Sequence, residues 1–104
     1  VALDKDSLNS VYSLVRDGKN GEWVLGEWVN QSLWSTDGTN RRLCKFKDLV
    51  MWKYLTEVRE YTSEVTLVRG QRVAVEVKKG VTIWHFVLAN ISAADGKFSY
   101  VVGV

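Results

Sequence analysis

Hydrophobic and polar positions alternate most regularly between Ser63 and Ala89, which predicts three consecutive strands joined by tight turns. From Gln71 to Lys78, Val73, Val75 and Val77 fall on one side of an extended chain, and Arg72, Ala74, Glu76 and Lys78 on the other. A period of two with β-branched residues on one face predicts a half-buried strand. Lys78-Lys79-Gly80 supplies the turn, with glycine able to take positive φ. The next run, Val81 to Ala89, is apolar on both faces: Val81, Ile83, Val87 and Ala89 lie with His85, and Trp84, Phe86 and Leu88 lie opposite. Such a strand is expected at the centre of a sheet and covered on both sides. The Trp84/Phe86/Leu88 face therefore needs a helix of the same chain, a partner or a ligand against it.

Leu8, Val11, Tyr12 and Val15 follow i, i+3, i+4, i+7 spacing after Asp6 or Ser7, which predicts a first helix ended by Gly18 and Gly21. Glu22 to Asn30 is expected as a strand, with Gly26 marking a bulge or a close approach of backbone. Ser32 to Ser35 is expected as a second strand, and Asp37-Gly38 as a hairpin turn. Asn40 to Lys47 then returns as a basic arm. Met51, Tyr54, Leu55, Val58 and Tyr61 form a stripe that predicts a second helix over Leu49 to Tyr61 behind an Asp48 cap, although a strand there is an alternative. Ser92 to Gly96 is expected as a loop, and Lys97 to Val104 as a closing strand with Phe98, Tyr100, Val102 and Val104 on one face. The order α-β-β-β-α-β-β-β-β predicts one α+β domain over residues 1–104, an antiparallel sheet of hairpin-connected strands carrying one or two helices.

Leu14-Val15-Arg16-Asp17 followed by Trp23-Val24 resembles the opening of actin-depolymerising-factor homology domains. That family's long late helix has no counterpart here, so no residue role is carried over. The element order is also similar to profilin and roadblock architectures, an analogy of fold that implies no function.

Composition narrows the chemistry. The 104 residues are 46% hydrophobic and 25% charged, which excludes wholesale disorder. No apolar run approaches the ~20 residues that span a bilayer, so no membrane partner is expected. Cys44 is the sole cysteine and cannot form an internal disulfide, and a cytoplasmic location is expected. Two Asn-x-Ser matches, at Asn30 and Asn90, leave a secreted origin open.

One histidine, His85, and one cysteine are too few for a zinc site of ordinary ligands, and neither a metal nor a cofactor is expected. A Cys44–His85 nucleophile pair would need the fold to bring the two together; packing roles are the simpler expectation for both. Nucleotide-binding, nucleophile-elbow and metalloprotease motifs are missing, so the reading leans away from an enzyme.

Two surfaces remain. Five tryptophans among 12 aromatics exceed what a small core ordinarily absorbs, so one or two rings are expected at the surface. Trp34, Trp84, Phe86 and Trp28 are the candidate contacts for a protein partner or a second copy of the chain. The alternative is a small nucleic-acid-binding domain in which Arg41, Arg42, Lys45 and Lys47 hold phosphates while Phe46 or Trp34 stacks on a base. The net charge of +2 is low for that role, and the same cations are accounted for by protection of an edge strand.

Overall fold

The computed structural model describes residues 4–17, 21–37, 40–45 and 50–104. Its elements are a short helical turn, α1 (Lys5–Asn9), and nine strands: β1 (Tyr12–Asp17), β2 (Val24–Val29), β3 (Ser32–Asp37), β4 (Asn40–Leu43), β5 (Val50–Lys53), β6 (Val58–Ser63), β7 (Arg72–Lys78), β8 (Val81–Ala94) and β9 (Lys97–Gly103). They form two antiparallel sheets, ordered β4-β3-β2-β1-β5 and β6-β9-β8-β7. The protein is therefore mostly β, and the expectation of an α+β domain with one or two packed helices is overturned. With it goes the likeness of element order to profilin and roadblock proteins.

Each lost helix has a physical reason. Leu8, Val11, Tyr12 and Val15 meet the helical template, but the same residues also fit a period of two. Tyr12 and Leu14 face the second sheet, while Ser13 and Val15 are buried on the opposite face of β1. β1 pairs with β2 on one side and β5 on the other, so both its faces and both its edges are used. The helix stops at Asn9, and its cap is Asp4, whose carboxylate accepts from the Asp6 N–H at 3.0 Å and the Ser7 hydroxyl at 2.7 Å. Residues 50–61 split into β5 and β6, one in each sheet. Their valines, tyrosines and tryptophan suit pleated surfaces, and pairing with β1 and β9 outweighs a weak helical stripe. Met51 and Tyr54 of that stripe are exposed, whereas Leu55 is buried, so it never converges on one core. Leu49 and the Asp48 cap lie outside the described residues.

The cover over the Phe86/Leu88 face is the other sheet. Tyr12, Leu14 and Leu25 meet Phe86, Leu88 and Val101, with Leu55 closing the end. Full burial of each such side chain stabilises the fold by about 1.5–3 kcal/mol before entropy is set against it. A second cluster, Val73, Val87, Tyr100 and Val102, occupies the far face of the β6–β9 sheet. Residues 64–71, expected as part of a strand, instead carry the chain from β6 at one edge to β7 at the other. Leu67 packs on this second cluster, and its N–H donates to the Tyr100 hydroxyl at 2.8 Å. β8 is longer than its alternation implied. A register shift between Val87 and Ala89 moves the pattern by one residue, and a second between Asn90 and Ser92 lets the strand run on to the Asp95-Gly96 turn.

Candidate functional site

The four candidate contact aromatics separate into different environments. Phe86 is 6% exposed and belongs to the core between the sheets; Arg72 lies 5.4 Å over its ring. It is a packing residue and not surface. Trp28 is half-buried; its indole N–H donates to the buried Ser13 hydroxyl at 2.9 Å, and its ring meets Trp52 edge-on at 5.4 Å. Trp52 in turn meets Tyr54 edge-on at 5.1 Å. Trp34 is half-buried with the Arg41 guanidinium 4.7 Å from its ring centroid.

Trp84 differs from all of these. It is 62% exposed, and among the described residues it has neither a ring partner nor a hydrogen-bond partner. Its place follows from the register of β7 and β8. Trp84 stands directly opposite Ala74, and Ile83, 40% exposed, stands opposite Val75. Alanine leaves the indole nothing taller than a methyl group to lean on across the strand pair. Lys79-Gly80 closes the ribbon, with Gly80 at φ 80°, where a side chain is rarely tolerated.

The basic arm is only partly a cationic surface. Register puts Trp34 opposite Leu43 and Thr36 opposite Arg41, so Trp34 and Arg41 share a face. Arg41 also lies 3.4 Å from Glu27, and Glu27 lies 3.3 Å from Arg69. Arg69 donates to the Leu88 carbonyl at 3.0 Å. One carboxylate thus joins two arginines, and Arg69 links the first sheet to the crossing segment of the second. Arg72 does the same elsewhere: it bonds Glu22 at 3.2 Å and the Trp23 carbonyl at 2.7 Å. Arg42 is exposed and its backbone carbonyl accepts from Ser35 at 3.2 Å; Lys45 is exposed. Phe46 and Lys47 lie outside the described residues.

The two side chains weighed for catalysis differ in exposure. His85 is completely buried, with Nε2 3.0 Å from Arg59 and Nδ1 3.0 Å from the Ile83 carbonyl. Cys44 is half-buried beside β3, where its N–H donates to the Leu33 carbonyl. Among the described residues no group of three His, Cys, Asp or Glu side chains is placed to hold a metal, and no helix is long and apolar enough to cross a membrane. A shallow depression of about 330 Å³ between α1 and Tyr54 is lined by Asp6, Asn9, Ser10 and Tyr54. Asn9 is already committed there, bonding both backbone groups of Leu55.

No protein-family model, no curated protein and no solved structure matches this chain. The sequence signal that singled out Trp84 was its place in a strand apolar on both faces. What sequence could not supply was the end of cover by the first sheet between Phe86, which is buried, and Trp84, which is not.

Proposed function

We propose that the chain is a non-enzymatic protein-interaction module that self-associates through the exposed aromatic end of the β7–β8 ribbon. The observation that carries this reading is Trp84, 62% exposed on a strand whose next inward residues are fully packed. An exposed tryptophan beside a small residue is a ready anchor, because covering it removes a large apolar area from water. Ile83 extends the apolar surface on the opposite face of the ribbon, and Lys78, Lys79 and Glu76 supply a polar rim.

The test is sedimentation velocity across a range of protein concentrations, paired with acrylamide quenching of the wild type and of Trp84→Phe. Self-association that shields the Trp84 emission is the expected result. A monomer at every concentration, or association that leaves Trp84 as quenchable as before, overturns the reading.

A second reading, single-stranded nucleic-acid binding by the β3–β4 arm, is favoured by Arg41 over the Trp34 ring and by the exposed Lys45 just past β4. Against it, Arg41 already covers the ring and shares its charge with Glu27. Titration with short single-stranded RNA and DNA separates the two, since phosphate contacts weaken steeply as salt rises.

A further inference from the structure

The ribbon that carries Trp84 ends in an open sheet edge, and its residues are arranged to pair with themselves. β7 is the last strand of its sheet. The Val87 N–H donates to the Gln71 carbonyl at 2.9 Å, which sets the phase of the ladder. Gln71, Val73 and Val75 therefore turn their backbone groups toward β8, and Arg72, Ala74 and Glu76 turn theirs outward. A register shift between Glu76 and Lys78 ends the regular edge. What remains is a five-residue edge, Arg72 to Glu76, whose midpoint is Ala74.

We infer that two copies of the chain join antiparallel along β7, with the two-fold axis at Ala74, in a continuous sheet of eight strands. This rests on the interaction reading above and names its geometry. Centred on Ala74, the register places the outward N–H and C=O groups of Arg72, Ala74 and Glu76 opposite those of Glu76, Ala74 and Arg72 of the second copy. Each Arg72, whose guanidinium already bonds Glu22 and the Trp23 carbonyl of its own chain, then has Glu76 of the second copy opposite it, and opposite charges at facing positions are favourable. Shifting the centre to Val75 would instead oppose Arg72 to Lys78, so charge selects the first register. The interface is isologous, as a closed dimer requires.

The side chains agree with this register on both faces. On one, Ala74 meets Ala74 of the second copy, with a Trp84 on either side of the pair. The two Trp84 Cα atoms stand three strand spacings apart, ~14 Å, so each indole leans over the paired methyl groups toward the other. On the opposite face Val73 meets Val75 of the second copy, and the half-buried Val75 side chains complete their burial by joining the two outer clusters. Charged residues on an edge strand ordinarily discourage pairing. Here opposite signs at symmetric positions restrict pairing to one register.

The test uses the full chain. Sedimentation equilibrium should give twice the monomer mass. Ala74→Pro should raise the dimer dissociation constant at least about tenfold, because two symmetry-related hydrogen bonds are lost. The Ala74 N–H points away from β8, so proline leaves the β7–β8 ladder intact, and unchanged circular dichroism checks this. In a Cys44→Ala background, Ala74→Cys is treated with a short bis-maleimide, and Asp95→Cys, at the far turn of β8, is the comparison. Efficient dimer crosslinking at 74 and not at 95 is expected whether or not the proline variant folds. A wild type that stays monomeric overturns the pairing, as does a dimer that crosslinks no better at 74 than at 95 or that persists in a folded Ala74→Pro protein. Association that shields Trp84 without crosslinking at 74 also overturns the edge pairing, but leaves the Trp84 surface standing as the contact.

Discussion

Arg59 and His85 meet inside the β6–β9 sheet, with Nη1 of the guanidinium 3.0 Å from Nε2 of the imidazole. Arginine only donates, so Nε2 must accept; Nδ1, 3.0 Å from the Ile83 carbonyl, must then carry the proton. The ring is held neutral in one tautomer. Burial pushes its pKa below the ordinary 6.5, and the Arg59 charge pushes the same way, partly opposed by the Ile83 hydrogen bond.

A pH dependence follows from that pair. The folded-state pKa is depressed, so His85 costs nothing above pH 6.5. As pH falls below 6.5 the unfolded chain takes up a proton that the native state refuses, and stability declines by up to about 1.4 kcal/mol per pH unit. Urea denaturation at a series of pH values on either side of the ordinary imidazole pKa should show this slope in the wild type. His85→Gln keeps an acceptor for Arg59 and should flatten it. Equal slopes in the two proteins would remove His85 as the cause.

Asn9 pins the link between the sheets. Its side-chain carbonyl accepts from the Leu55 N–H at 2.8 Å and its amide donates to the Leu55 carbonyl at 3.3 Å. Leu55 itself is buried at the end of the core. Asn9→Ala strands both backbone groups and should lower unfolding free energy by about 1–3 kcal/mol. Asn9→Asp, which keeps only the acceptor, should fall between the two in a denaturant titration.

Gly26 is a matter of space. A Cβ there would lie 2.9 Å from Leu33 Cδ1, 3.0 Å from the Ser13 carbonyl and 3.3 Å from Val15 Cγ1. The Ser13 oxygen is backbone in a central strand and has little room to move. Gly26→Ala should cost about 1–3 kcal/mol, read as a lower thermal midpoint; an unchanged midpoint would show that β1 and β3 separate easily.

The β2–β3 turn is strained in the opposite sense. Asn30 and Gln31 take φ of 49° and 67°, the paired left-handed conformation that two-residue hairpins need. Asparagine tolerates this; glutamine does so at a cost of about 1–2 kcal/mol. Gln31→Gly should stabilise the protein by about 1 kcal/mol after the entropy of glycine is set against the relief. Chemical denaturation should show a higher midpoint with the same slope.

Much of the β7–β8 ribbon was legible in the residues alone. The period of two from Arg72 to Lys78, the glycine at 80, the doubly apolar run after it and the Asp95-Gly96 turn are local features, and strand character and turn conformation follow from local sterics. The surplus of tryptophan, likewise, required only counting.

Three things were decided by tertiary contacts. Residues 11–17 and 50–61 satisfy helical spacing as well as extended pairing, and only neighbours on both edges of β1 and β6's place beside β9 select the strand. What covers the Phe86/Leu88 face is a second sheet from the same chain, because burying two apolar faces against each other leaves no role for a helix. Last, Trp84 and Phe86 share one side of one strand, and nothing in their sequence positions separates them. The first sheet ends its cover between them, leaving Phe86 to hold the core and Trp84 to face solvent.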